Sequence, residues 1–129
     1  TGPAASNGPE VAVALPYGPL TLLGYDWTNA DGKAQVDLYW RVEEGVAADY
    51  TTTTQLFDEA GGKLGQDDRR PGGEYYPPSL WKPGEVLVDR HTVALASGTP
   101  ERLLVGMYSG PDATLLAPAL EIRLEYSRP

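Results

Sequence analysis

Glycine and proline stand between short runs of alternating apolar and polar residues along almost the whole chain, and that spacing constrains the fold most. The 15 glycines and 12 prolines fall as punctuation between β-type runs, the pattern of an all-β domain. Val11–Leu15 is a possible short first strand, closed by Pro16-Tyr17-Gly18-Pro19. Leu20–Trp27 follows, then the turn residues Asn29 to Lys33, whose Asn, Asp and Gly tolerate positive φ. Gln35–Val42 alternates cleanly: Val36, Leu38, Trp40 and Val42 point one way, and Gln35, Asp37, Tyr39 and Arg41 the other. That is a half-buried strand with Trp40 in the core.

Tyr50–Phe57 is rich in threonine, which favours strands because its χ1 is stiff. A brief strand near Leu64, then Glu85–Leu95, Arg102–Ser109 and Ala119–Tyr126 complete eight runs. In the last of them Leu120, Ile122, Leu124 and Tyr126 face inward. The expected fold is an all-β, two-layer antiparallel β-sandwich of Ig-like or jelly-roll type, with seven to eight strands. It occupies residues 20–129, after a linker and possible first strand over 1–19. At 129 residues the chain has room for one such core and not for two. In Glu85–Leu95 the apolar parity changes from Val86 and Val88 to Val93 and Leu95, which predicts a bulge or bend between Asp89 and Thr92.

One stretch has neither helical nor strand period. Arg69 to Glu85 carries Tyr75, Tyr76 and Trp81 among prolines and glycines, far longer than the ~4–6 residues of an ordinary connection. Two readings are open. The three rings form an exposed platform for sugar rings, with Asp67, Asp68 and Arg69 supplying hydrogen bonds, or they fold inward and give the loop its own small core. As a crossover between sheets, the loop would use Trp81 as an anchor and leave Tyr75 and Tyr76 as the better candidates for outside contact.

Charge and composition exclude several functions. Ten Lys+Arg against 18 Asp+Glu give a net charge of −8, which opposes binding to nucleic-acid phosphates or anionic membrane surfaces. The absence of cysteine removes disulfides, thiolate catalysis and zinc-thiolate sites together. The longest apolar run, Val11 to Leu15, is too short to span a bilayer, so no direct membrane insertion is expected. Thr1 to Pro9 is linker-like, and the chain is expected to be excised from something larger.

Catalytic and metal motifs are sparse, and no cofactor is expected. His91 is the only histidine; its one local carboxylate is Asp89, and the plainer reading is a partly buried, hydrogen-bonded strand histidine beside the bulge. Asn29-Ala30-Asp31-Gly32 lacks the first and last carboxylates of a calcium loop, since Trp27 and Leu38 stand there, and is better read as a hairpin turn. A calcium held by other turn carboxylates stays open. Glu43-Glu44, Asp58-Glu59 and Asp67-Asp68 are adjacent pairs in acidic turns, unlike the separated carboxyls of a glycosidase. No Gly-x-Ser-x-Gly elbow is present for a serine nucleophile. Tyr17 and Tyr39 read as surface or edge aromatics.

An ordered series of short segments adds a resemblance. Leu22-Leu23-Gly24-Tyr25-Asp26, Val36-x-Leu38-Tyr39-Trp40-Arg41 and Asp49-Tyr50-Thr51 come first, then Gln55-Leu56-Phe57-Asp58. Pro77-x-Ser79-Leu80-Trp81-x-Pro83-Gly84-Glu85, Asp89-Arg90-x-Thr92 and Val105-Gly106-Met107-Tyr108 complete it. Over roughly residues 20–126 the series resembles a β-sandwich domain near the C-terminus of large polytopic bacterial membrane proteins of the glycosyltransferase type, common in the Chloroflexi. The resemblance implies a non-catalytic, extracytoplasmic accessory domain. Its partners would be the rest of a parent membrane protein and glycan or other cell-envelope material. Thr52 and Thr54 depart from the pattern where apolar residues are usual, and His91 where tyrosine is usual.

Overall fold

The structure is a computed structural model, and it describes residues 8–72 and 75–125. Nine strands lie in this part of the chain: β1 Val11–Tyr17, β2 Leu20–Ala30, β3 Lys33–Val42, β4 Thr51–Phe57, β5 Lys63–Arg69, β6 Val86–Ala94, β7 Arg102–Ser109, β8 Thr114–Leu115 and β9 Leu120–Arg123. They form two antiparallel sheets packed face to face. The first has the order β1-β2-β3-β6; in the second, β5-β4-β7 is followed by β8 and β9, which both pair with β7. The expected seven to eight strands become nine because the loop at 111–118 contains β8, a two-residue strand against Tyr108 and Ser109. β1 also runs through Pro16 to Tyr17 instead of ending at Leu15. Tyr126 lies outside the described residues.

Hairpin chemistry fixes the first sheet. Ala30 pairs with Lys33 across Asp31 and Gly32, both at positive φ (56° and 74°), a two-residue turn whose twist suits the flanking strands. β3 alternates as its sequence requires, with Val36, Leu38, Trp40 and Val42 all fully buried. In β2 an extra residue between Leu22 and Gly24 shifts the register. Leu20 and Leu22 before the bulge, and Tyr25 and Trp27 after it, therefore all reach the core.

The bulge expected between Asp89 and Thr92 does not form, because β6 pairs with β3 without interruption from Val86 to Ala94. The apolar parity misleads here: Val86 and Val88 share the outer face of the sheet, while Asp89, His91 and Val93 are buried on the inner one. Two polar residues in core positions disguise a regular strand. Tyr17 and Tyr39 are likewise not surface aromatics, being 1% and 5% exposed. The Tyr17 hydroxyl donates to Ala117 O at 2.7 Å and accepts from Met107 N at 3.0 Å. Tyr39 lies on the outer face and donates to Asp26 Oδ2 at 2.7 Å.

The two sheets are tied to each other on both lateral sides of the sandwich. On one, β5 of the second sheet lies against β6 of the first. A Cβ on Gly65 would stand 2.2 Å from Ala94 O, and Ala96 N donates to Leu64 O at 2.9 Å. On the other, Trp27 Nε1 donates to Glu125 O and the Tyr25 hydroxyl accepts from Glu125 N, each at 2.9 Å. The stretch after β5 leads to β6 of the first sheet, and its described part meets the end of β3 and the connection that follows, with Gly84 N donating to Val42 O at 2.7 Å and Ser79 N to Asp49 Oδ1 at 2.8 Å.

Candidate functional site

The chemistry-bearing side chains converge on the β5–β6 edge. Asp67 on β5 points inward because its partner in β4, Thr54, belongs to the buried row Thr52, Thr54 and Leu56. His91 and Asp89, two apart on β6, share the inner face of the opposite sheet. The His91 ring, fully buried, lies with Nδ1 2.8 Å from Asp67 Oδ2 and Nε2 2.9 Å from Asp89 Oδ1. The first contact is a hydrogen bond; the second has ion-pair distance without hydrogen-bond alignment. Asp89 Oδ2 accepts from Trp40 Nε1 at 3.2 Å, and Asp67 accepts from Arg69 Nε at 2.9 Å. A continuous polar chain thus runs from the exposed Arg69 to the core indole of Trp40.

The electrostatics favour a charged imidazole. Burial pushes the His91 pKa down, but Asp89 and Asp67 together outweigh it and hold the pKa above its ordinary value of 6.5. For Asp67, burial works upward, yet the bonds from Arg69 and His91 keep its carboxyl below the usual range. Each ring nitrogen of an imidazolium is a donor, and each here faces a carboxylate. No nitrogen is left to take a proton from a substrate, and the ring has no access to one. The arrangement suits an ionic clamp between sheets. Among the described residues no group of three or more His, Cys, Asp and Glu side chains is placed to hold a metal ion.

The six residues singled out from the sequence are thereby divided. Asp67 and Arg69 belong to the clamp. Asp68, one residue on, faces outward and accepts from the Thr53 hydroxyl at 2.6 Å, Gln66 Nε2 at 2.9 Å and the Tyr108 hydroxyl at 2.8 Å. Trp81, 3% exposed, sits in the core with Nε1 donating to Tyr76 O at 2.9 Å. Tyr76 is half-buried and its hydroxyl donates to Glu85. That contact lowers the Glu85 pKa and raises that of Tyr76. Tyr75 alone points out, 98% exposed. The three rings therefore share no face, because the single turn of 3₁₀ helix at Pro78–Leu80 carries Trp81 inward. Sequence reasoning connected Asp89 with His91 but missed Asp67, whose place opposite them depends on which edge strands meet.

No family, curated protein or solved structure matches this chain at a significant level. Among the described residues no helix is long and apolar enough to cross a membrane.

Proposed function

We propose that the chain is a non-catalytic accessory β-sandwich domain that faces glycan or other cell-envelope material on the outside of a membrane-anchored, glycosyltransferase-like protein. The observation that carries the non-catalytic part is the engagement of both nitrogens of the sole histidine by Asp67 and Asp89 inside the core. A general base must reach its substrate's proton, and this one is sealed from solvent. The envelope-facing part rests on the ordered series of residues from Leu22 to Tyr108. The net charge of −8 suits neutral polymers better than anionic ones.

Affinity electrophoresis of the chain in gels cast with soluble envelope polysaccharides tests this reading. Retarded migration with polysaccharide of unchanged length is the expected outcome. Release of new reducing ends would make the domain a hydrolase, and unretarded migration in every gel would remove the glycan-facing role. One observation favours a second reading, a protein-docking loop: Tyr75 and Leu80, both in the crossover, are 98% and 54% exposed.

A further inference from the structure

We propose that a hollow on the outer face of the second sheet, walled by Phe57, Gly61, Arg102, Leu104 and Glu121, binds one neutral pyranose ring of a glycan; this rests on the proposed glycan-facing role. The hollow has a volume of about 220 Å³. Sites for drug-sized ligands enclose roughly 300–1,000 Å³, so this one suits a single small ring. Strand register builds it. Phe57 pairs with Arg102 across β4 and β7, and Leu104 pairs with Glu121 across β7 and β9, so all four side chains share the outer face.

Two features mark the place as more than a solvated sheet surface. The β4–β5 register shifts between Leu56 and Phe57, and a bulge there re-aims the neighbouring side chain. Gly61, at φ 91° in the turn that Asp58 closes by accepting from Gly62 N at 2.7 Å, forms the adjoining wall. Secondly, Arg102 and Glu121 make no ion pair or side-chain hydrogen bond among the described residues, whereas neighbouring Arg123 pairs with Glu59 at 3.4 Å. The lining therefore offers apolar carbon from Phe57 and Leu104, donors from a guanidinium and acceptors from a carboxylate, with no net charge. That set matches a neutral pyranose, which has an apolar C–H face and a rim of hydroxyls that both donate and accept.

Titration of the ¹⁵N-labelled chain with methyl glycosides of neutral hexoses and N-acetylhexosamines, followed by amide chemical shifts, tests the site. Shifts are expected at Phe57, Gly61, Arg102 to Leu104 and Glu121. Arg102→Ala and Glu121→Gln should each weaken binding about tenfold, the loss expected for one hydrogen bond to a charged group, with thermal unfolding unchanged. Shifts centred on residues 75–85, or full affinity in both variants, would overturn this site while polysaccharide retardation persists. Shifts with free glycine and none with any glycoside would overturn the sugar assignment. Absence of both shifts and retardation would overturn the site and the glycan-facing role together.

Discussion

His91 makes the stability of this domain depend on pH in a definite direction. Its folded-state pKa lies above the ordinary 6.5, so its contribution is complete below that value and is lost as pH rises through the folded pKa. Asp67 has a lowered folded pKa, so its contribution is present above the ordinary 3.8 and is lost as pH falls. The clamp is strongest between those two values. The wild-type chain should therefore unfold at lower temperature at about pH 9 than at about pH 5.5, and His91→Gln should flatten that difference. The variant should also lose about 3–5 kcal/mol at the acidic end, because Asp89 is left buried without its counter-charge. Calorimetric scans across pH check both, and an unchanged pH slope would mean that His91 is neutral in the folded state. Thr52 offers the opposite kind of test. Its Oγ1 is buried and finds no partner among the described residues, whereas Thr54 Oγ1 donates to Asp67 O at 3.1 Å. Thr52→Val should raise stability by about 1 kcal/mol by removing an unpaired hydroxyl at nearly constant shape, and Thr54→Val should lower it by a similar amount. Denaturant midpoints of the two variants check the contrast.

At the scale of elements, the close approach of β5 to β6 is what brings Asp67 to His91, and Gly65 permits it. Gly65→Ala would place a methyl 2.2 Å from the backbone oxygen of Ala94, which cannot swing away as a side chain could. A loss of about 1–3 kcal/mol is expected from such overpacking. Gly45→Ala, where a Cβ would meet nothing within 4 Å, should leave the unfolding midpoint almost unchanged. The same elements explain how much of the fold was legible in the sequence. β3 was, because Val36, Leu38, Trp40 and Val42 carry an unbroken alternation into a wholly apolar row. β6 was not, since Asp89 and His91 occupy core positions that a hydrophobic pattern assigns to solvent. β5 looked like a brief strand because Gln66, Asp67, Asp68 and Arg69 are polar; their pairing with Thr53, His91 and Tyr108 lies across strands and sheets. Trp81 could be suspected as an anchor from the prolines around it. The meeting of Phe57, Arg102 and Glu121 carried no local signal, as it depends on the register of three strands.

At the scale of the whole molecule, the sandwich shields the edge of β7 through the segment C-terminal to it. An uncovered strand edge presents unpaired amides and carbonyls to other chains. β9 covers Arg102 to Val105 of β7, its neighbour Leu116 donates its amide to Met107 O at 2.8 Å, and Glu125 ties the end of this segment to Tyr25 and Trp27 of the first sheet. The segment also contributes Ile122 and Leu124, 8% and 5% exposed, to the common core. A chain ending at Pro118 would therefore lose two buried apolar side chains and expose Arg102 to Val105 of β7 at once. Fully burying such side chains contributes about 1.5–3 kcal/mol each. Their loss would consume much of the roughly 5–15 kcal/mol by which a domain is stable. Size-exclusion chromatography and far-ultraviolet circular dichroism should find this truncated chain associated or unfolded, not a monomeric sandwich. If it stayed monomeric with native β signal, β8, Leu116 and the Tyr17 hydroxyl, which remain on Met107 to Ser109, would be sufficient to protect that edge.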